Sequence, residues 1–249
     1  MVIARLIAEP ERVETWQREI GRKKLMSAAS RGSEFYPAIK AQTGGCIELE
    51  FAHGDAGIAR NILEAHFGDC DWLIGNPAIA APQLVVSDMD STMIGQECID
   101  ELADYAGIKD QIATITERAM QGEIDFEAAL RERVALLAGL EESAIDRCLE
   151  ERIRPNPGAR ELIRTLKEQG ARTVLVTGGF HHFADRVAEK LGFDRVVGNR
   201  LGVKDGKLTG ELEGPVSDAS TKARVLSDET AMLGAGAVSL ALGDGANDI

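Results

Sequence analysis

From Gln83 onward the apolar residues fall in short unbroken runs separated by helical patterns, and this alternation constrains the fold of the 249-residue chain more than any other feature. The runs are LVVSD (84–88), TVLVTGG (173–179), VVG (196–198) and AVSLALGDG (237–245). Strands that are apolar on both faces are buried on both faces, so these runs predict a parallel sheet covered by helices. Before the second run, Asn156 is the expected N-cap of a helix. Pro157 then takes its first position, Leu162, Ile163 and Leu166 its buried stripe, and Gly170 its end. LGVKDGKLTGELEG (201–214) predicts a β-hairpin turning at Asp205-Gly206. Residues 95–154 are helical in pattern almost throughout. Inserted after the first core strand, they would cap its carboxyl end, where open α/β sheets bind ligands.

The first eighty residues read separately. VIARLIAE and CIELEFAH alternate as strands, AGIARNILEAHFG is an amphipathic helix and WLIG is a short strand. A small α+β domain over 1–80 is expected, joined through NPAIAAP (76–82) to a second domain over 81–249. Asp69-Cys70-Asp71 reads as turn chemistry before a strand rather than a metal motif. The net charge of −13 argues against nucleic acid or an anionic membrane surface as the main partner. No apolar run approaches the roughly 18 residues of a membrane span. Cys46, Cys70, Cys98 and Cys148 show no CxxC spacing, which fits scattered thiols in a reducing cytoplasm.

Two core strands end in acidic clusters, Asp88-Met89-Asp90-Ser91-Thr92 and Gly243-Asp244-Gly245-Ala246-Asn247-Asp248. Parallel strands deliver their carboxyl ends to one edge, so these carboxylates can converge. Their mutual repulsion then calls for a cation or a shared proton. All-oxygen, acid-rich ligation favours a hard ion, Mg²⁺ best. An EF-hand reading of DMDST fails, because Met93 stands where that loop needs glycine and Ile99 where it needs glutamate. The second core strand ends in Thr177-Gly178-Gly179 ahead of a helix, a hydroxyl and bare N–H groups suited to phosphate. His181 and His182 read as surface or rim residues. Lys222 falls in a helix capped by Ser220 or Thr221.

DxDxT, Thr-Gly-Gly, a lysine and GDGxND, in this order, resemble the haloacid dehalogenase-like phosphohydrolases. DMDSTMIGQECIDELADYAG, FEAALRERVALLAGL, VTGGFHHFADRVAEKLG and GVKDGKLTGELEGP are similar to the branch of that family acting on O-phosphoserine. The resemblance covers residues 84–249. It implies a Rossmann-like parallel sheet with an inserted helical cap, and the first domain loosely resembles the small ACT-like regulatory modules. It further implies Mg²⁺-dependent hydrolysis of the small molecule O-phosphoserine to serine and phosphate, the last step of serine biosynthesis, and is compatible with a homodimer. Asp88 would be the nucleophile and Asp90 the general acid and base. Asp88, the Asp90 carbonyl, Asp244 and, through water, Asp248 would hold the ion. Thr177 and Gly178 would grip the phosphoryl oxygens, Lys222 would neutralise their charge and Asn247 would orient the lysine's neighbourhood.

Glu97 and Arg133 match the residues that meet the substrate's ammonium and carboxylate. In a helix over 126–137, at about 100° per residue, Arg133 lies some 20° from Phe126, within the Phe126, Leu130 and Leu137 stripe. A guanidinium on an apolar face needs an anion, and a carboxylate fits its fork. Glu97 lies about 160° from the Ile99–Ala106 stripe, where a first-turn glutamate commonly just complements the helix dipole. The same core motifs serve a phosphotransferase, or a phosphatase acting on another small phosphomonoester. A non-catalytic amino-acid sensor would not need the intact acidic set. Because the family continues through a helix and further strands after GDGxND, the chain is expected to be truncated at Ile249.

Overall fold

The computed structural model describes residues 2–21, 37–51, 55–68, 70–75, 80–234, 236–245 and 248. The chain divides into two compact units, Met1–Ala80 and Ala81–Ile249. In the first, strands β1 (Val2–Ile7), β2 (Ala38–Thr43), β3 (Cys46–Phe51) and β4 (Asp71–Gly75) form an antiparallel sheet in the order β2-β3-β1-β4. Helices α1 (Pro10–Gly21) and α2 (Ala56–Phe67) belong to the same unit. Proline opens α1, where its missing N–H costs nothing. Asp55 caps α2, accepting from the N–H groups of Gly57 at 2.8 Å and Ile58 at 3.1 Å. Alternation puts Ala4, Leu6, Ile47 and Leu49 on one sheet face, packed with Val13, Trp16, Leu63 and Phe67 from the helices. Asp69 and residues 76–79 of the expected linker lie outside the described residues.

In the second unit β5 (Leu84–Ser87), β6 (Arg172–Phe180), β7 (Arg195–Lys204), β8 (Lys207–Glu213) and β9 (Ser239–Leu242) form a sheet ordered β8-β7-β6-β5-β9. It is parallel across β9-β5-β6-β7, and β8 returns antiparallel to β7. The hairpin turns at Asp205 (φ 53°) and Gly206 (φ 75°), both left-handed as a tight two-residue turn requires. β5 is buried at every position, whereas β9, at the edge among the described strands, alternates between exposed and half-buried.

Helices α3 (Cys98–Tyr105), α4 (Lys109–Met120), α5 (Phe126–Ala135) and α6 (Ser143–Glu151) form the insertion between β5 and β6. Met89, Ile94, Leu102, Leu130, Cys148 and Phe183 share one core that continues from this cap into the sheet layer. Helix α5 stops two residues short of the expected end, although Leu137 stays buried. Helix α7 (Ala159–Glu168) corrects the expected start. Its N-cap is Gly158 at φ 83°, Asn156 instead donates its side-chain N–H to the Thr92 carbonyl at 2.8 Å, and Leu162 is 40% exposed. Helices α8 (His181–Leu191) and α9 (Ala219–Leu233) follow. The cap of α9 is Asp218, not Ser220 or Thr221, because a carboxylate at that position accepts from Thr221 N–H at 3.0 Å and Ser220 Oγ–H at 2.7 Å together. No described helix is long and apolar enough to cross a membrane.

Candidate active site

β5 ends at Ser87, and Asp88 follows at the sheet's carboxyl edge, 8% exposed. One carboxylate oxygen accepts the Met89 N–H at 2.8 Å, and the other lies 2.9 Å from the Lys222 ammonium. Lys222, on the first turn of α9, also reaches Asp248 at 2.6 Å. Burial raises the Asp88 pKa, and the bond to Lys222 only partly offsets it. For Lys222 burial acts downward, but its bonds to Asp248 and Asp88 raise its pKa overall. Carboxylate oxygens of Asp88, Asp244 and Asp248 all lie within 4.8 Å of one another, a spacing that one small cation can span. Thr92 Oγ–H donates to Asp244 at 3.4 Å and so ties the two acidic strand ends together.

Asp90 has a different environment. Its Oδ1 is buried without a hydrogen-bond partner, and burial, followed by the charge of Glu97, pushes its pKa up to about 7. Such a carboxyl group can both hold and release a proton at neutral pH. Gly179 packs against it so closely that a methyl group there would sit 3.1 Å from Asp90 Oδ2.

At Thr177-Gly178-Gly179 strand β6 bulges. Val176 pairs with Val197 and Phe180 with Asn199, so four steps on β6 span two on β7. Thr177 Oγ accepts the Gly179 N–H at 2.9 Å, which leaves its own proton free for a ligand. The Gly178 carbonyl accepts from Asn199 Nδ2 at 2.7 Å.

From the cap, Glu97, Ile99, Phe126, Leu130 and Arg133 meet Asp88, Asp90, Thr177, Gly178, Lys222 and Asp244 around one cavity of about 220 Å³. Glu97 is the N-cap residue of α3 rather than part of its first turn, and Ser91 Oγ–H, on a residue held at φ 53°, donates to it at 2.7 Å. Burial raises the Glu97 pKa. The partly buried Arg133 donates Nε–H to Ala129 O at 3.3 Å and forms no ion pair among the described residues. Burial lowers its pKa, against the pull of Asp100 and Glu97. Phe126 is 45% exposed, so the expected apolar stripe lines the cavity at that end instead of filling a core. His181 pairs with Asp185 at 2.8 Å, and neither it nor His182 lines the cavity. Asn247 lies outside the described residues. Sequence reasoning passed over Ser91, Asn199 and Ser217. The one available signal was a lone asparagine continuing an apolar strand.

A parallel sheet with a helical cap inserted after its first strand, and carboxylates, a lysine and a hydroxyl at the strand ends beneath it, define a capped α/β fold whose strand ends carry donors for both a cation and an anion. Residues 85–249 match the haloacid dehalogenase-like hydrolase family. The phosphoserine phosphatase of Archaeoglobus fulgidus is 47% identical over 167 residues, 67% of this chain and 48% of that protein. The chain thus spans about half the length of this relative. A solved phosphoserine phosphatase with a phospho-aspartyl intermediate analogue is 40% identical at TM-score 0.61, over 68% of this chain and 81% of that one. A haloacid dehalogenase family hydrolase of Salmonella enterica serovar Typhi covers 100% of this chain and 85% of its own, at TM-score 0.83 and 26% identity. The chain belongs to the haloacid dehalogenase-like hydrolases, in their phosphoserine phosphatase branch.

Proposed function

We propose that the protein hydrolyses O-phosphoserine to serine and orthophosphate with Mg²⁺. The carrying observation is one cavity lined by a buried carboxylate beside a lysine, a second carboxyl group titrating near neutrality and a guanidinium that has no ion pair among the described residues. Asp88, Asp244, Asp248 and the Asp90 carbonyl would hold the ion. The donor set fits: the cavity and the acidic cluster together bring Asp88, Asp90, Glu97, Asp244 and Asp248 against Lys222 and Arg133. With Asp90 protonated, the deficit is two positive charges, which one divalent ion supplies. Bound there, the ion would screen the repulsion between an anionic nucleophile and a dianionic phosphate.

A carboxylate oxygen of Asp88 attacks phosphorus as the bond to the serine oxygen breaks, and Asp90 gives its proton to that oxygen. Water then attacks the aspartyl-phosphate. Asp90, now a carboxylate, takes the water's proton, and the bond to Asp88 breaks to release orthophosphate. Thr177 Oγ–H and Gly178 N–H bind the phosphoryl oxygens while Lys222 stabilises their charge. Arg133 takes the substrate carboxylate and Glu97 its ammonium, which gives selection for an amino acid. Cytoplasmic residence belongs to the same reading, supported by cysteines scattered along the chain without CxxC spacing. The unit Met1–Ala80 is proposed as a regulatory module, supported by a core of its own. The test is phosphate release from a panel of phosphomonoesters with Mg²⁺ and after chelation. Preferred, Mg²⁺-dependent turnover of O-phosphoserine is expected. Equal or better turnover of esters lacking the amino acid would overturn the substrate.

A further inference from the structure

We propose that Asn199 is a positioning residue that sets the phosphoryl-binding turn and the start of α9 as one unit, a proposal that rests on the reading of Thr177 and Gly178 as the phosphoryl grip. A bulge removes main-chain ladder bonds, and buried peptide groups need replacements. Asn199 stands on β7 opposite the end of the bulge and is 1% exposed. Both ends of its amide are bonded. Nδ2 donates to the carbonyls of Gly178 at 2.7 Å and Ser217 at 3.3 Å, and Oδ1 accepts the Ser217 N–H at 2.8 Å. Ser217 Oγ–H in turn donates to the Thr177 carbonyl at 3.1 Å.

The Gly178–Gly179 peptide is therefore clamped from both sides. Asn199 holds its carbonyl and Thr177 Oγ holds its N–H, at 2.9 Å. Accepting that N–H leaves the Thr177 hydroxyl its own proton to donate to a ligand in the cavity it lines. The second arm of Asn199 acts on Ser217, directly before the Asp218 cap of α9, so the same side chain fixes the point from which Lys222 is launched. The backbones of β6 and β7 approach closely here. A methyl group on Gly198 would sit 3.2 Å from the Gly179 carbonyl and from Thr177 Cγ2.

Asn199→Asp tests the role with little change of shape. The carboxylate still accepts from Ser217 N–H but faces the Gly178 and Ser217 carbonyls with an acceptor instead of a donor, and protonation restores a donor. At about pH 8 we expect kcat/KM for O-phosphoserine and affinity for inorganic phosphate, measured by calorimetry with Mg²⁺, each to fall at least about tenfold. The deficit relative to wild type should shrink toward about pH 5.5 as the buried acid takes up its proton, while melting temperature at the lower pH stays near wild type. Ser217→Ala, which removes only the outer bond, should cost about two- to threefold in phosphate affinity. A folded Asn199→Asp variant within about twofold of wild type, or a deficit independent of pH, overturns the role. If neither Asn199→Asp nor Asn199→Ala folds, unchanged phosphate affinity in a stable Ser217→Ala variant overturns it. Wild type that binds inorganic phosphate but leaves O-phosphoserine intact would sink the substrate reading instead, with the phosphate comparison still deciding Asn199.

Discussion

Replacing Arg133 by alanine isolates substrate recognition from phosphoryl chemistry. The guanidinium has one weak bond, 3.3 Å to Ala129 O, and no ion pair among the described residues, so its removal breaks little of the resting fold. It lines the same cavity as Asp88 and the Thr177-Gly178 turn, where a bound carboxylate would take two of its remaining N–H groups. Truncating one partner of a buried charge pair costs about 2–5 kcal/mol, and Arg133 is only partly buried, so the lower part of that range applies. About 2–3 kcal/mol is roughly a 30- to 160-fold loss in kcat/KM for O-phosphoserine. Para-nitrophenyl phosphate, which has no carboxylate, should lose less than about threefold. Phosphate release from the two esters, wild type against Arg133→Ala, gives the double ratio directly. An equal loss on both would mean that Arg133 supports the catalytic groups or the closed cap, and the carboxylate assignment would be refuted.

Asp88→Asn should lower phosphate release by at least roughly 10⁴-fold without unfolding the protein, and chelation should silence the wild type until Mg²⁺ is returned. Retained turnover in either case contradicts the aspartyl-phosphate route. Gly179→Ala places a methyl group 3.1 Å from Asp90 Oδ2 and 3.2 Å from Thr177 Oγ, so kcat should fall about tenfold or more while melting temperature changes little. Glu229, 0% exposed, receives Arg172 and Arg195, and their hydrogen bonds hold its pKa below the usual glutamate range. A lowered folded-state pKa gives stability that is fully present above the unfolded value, about 4.3, and lost as pH falls through the folded one. Glu229→Gln should therefore cost about 2 kcal/mol near neutrality, less than the roughly 3–5 kcal/mol of a fully buried pair because both arginines are partly solvated, and should flatten the acid limb of the stability curve. Denaturant melts from about pH 3 to 7 measure both, and an unchanged acid limb would remove Glu229 as its source.

What the sequence reveals about the site depends on how far apart its parts lie along the chain. The acidic strand ends were legible because the chemistry is contiguous with an apolar run whose direction in a parallel sheet is fixed, so Asp88 and Asp244 had to arrive at one edge. Arg133 was legible because helical phase alone puts it on the Phe126–Leu130 face. Glu97 was not, since its position is set by a non-helical N-cap geometry and by a left-handed Ser91 that turns the chain toward it. Helix starts failed for a related reason. Several capping residues stood within a few positions of each other, and the choice fell to Asp218 and to Gly158 once tertiary bonds had taken Asn156. Asn199 was hardest of all. An amide in an apolar strand can be justified only by a bulge in the neighbouring strand, and that bulge exists only in the register between β6 and β7. Residues that perform the proposed chemistry sit in local motifs, whereas those that aim them are specified by pairing across the sheet, which a pattern along one segment does not encode.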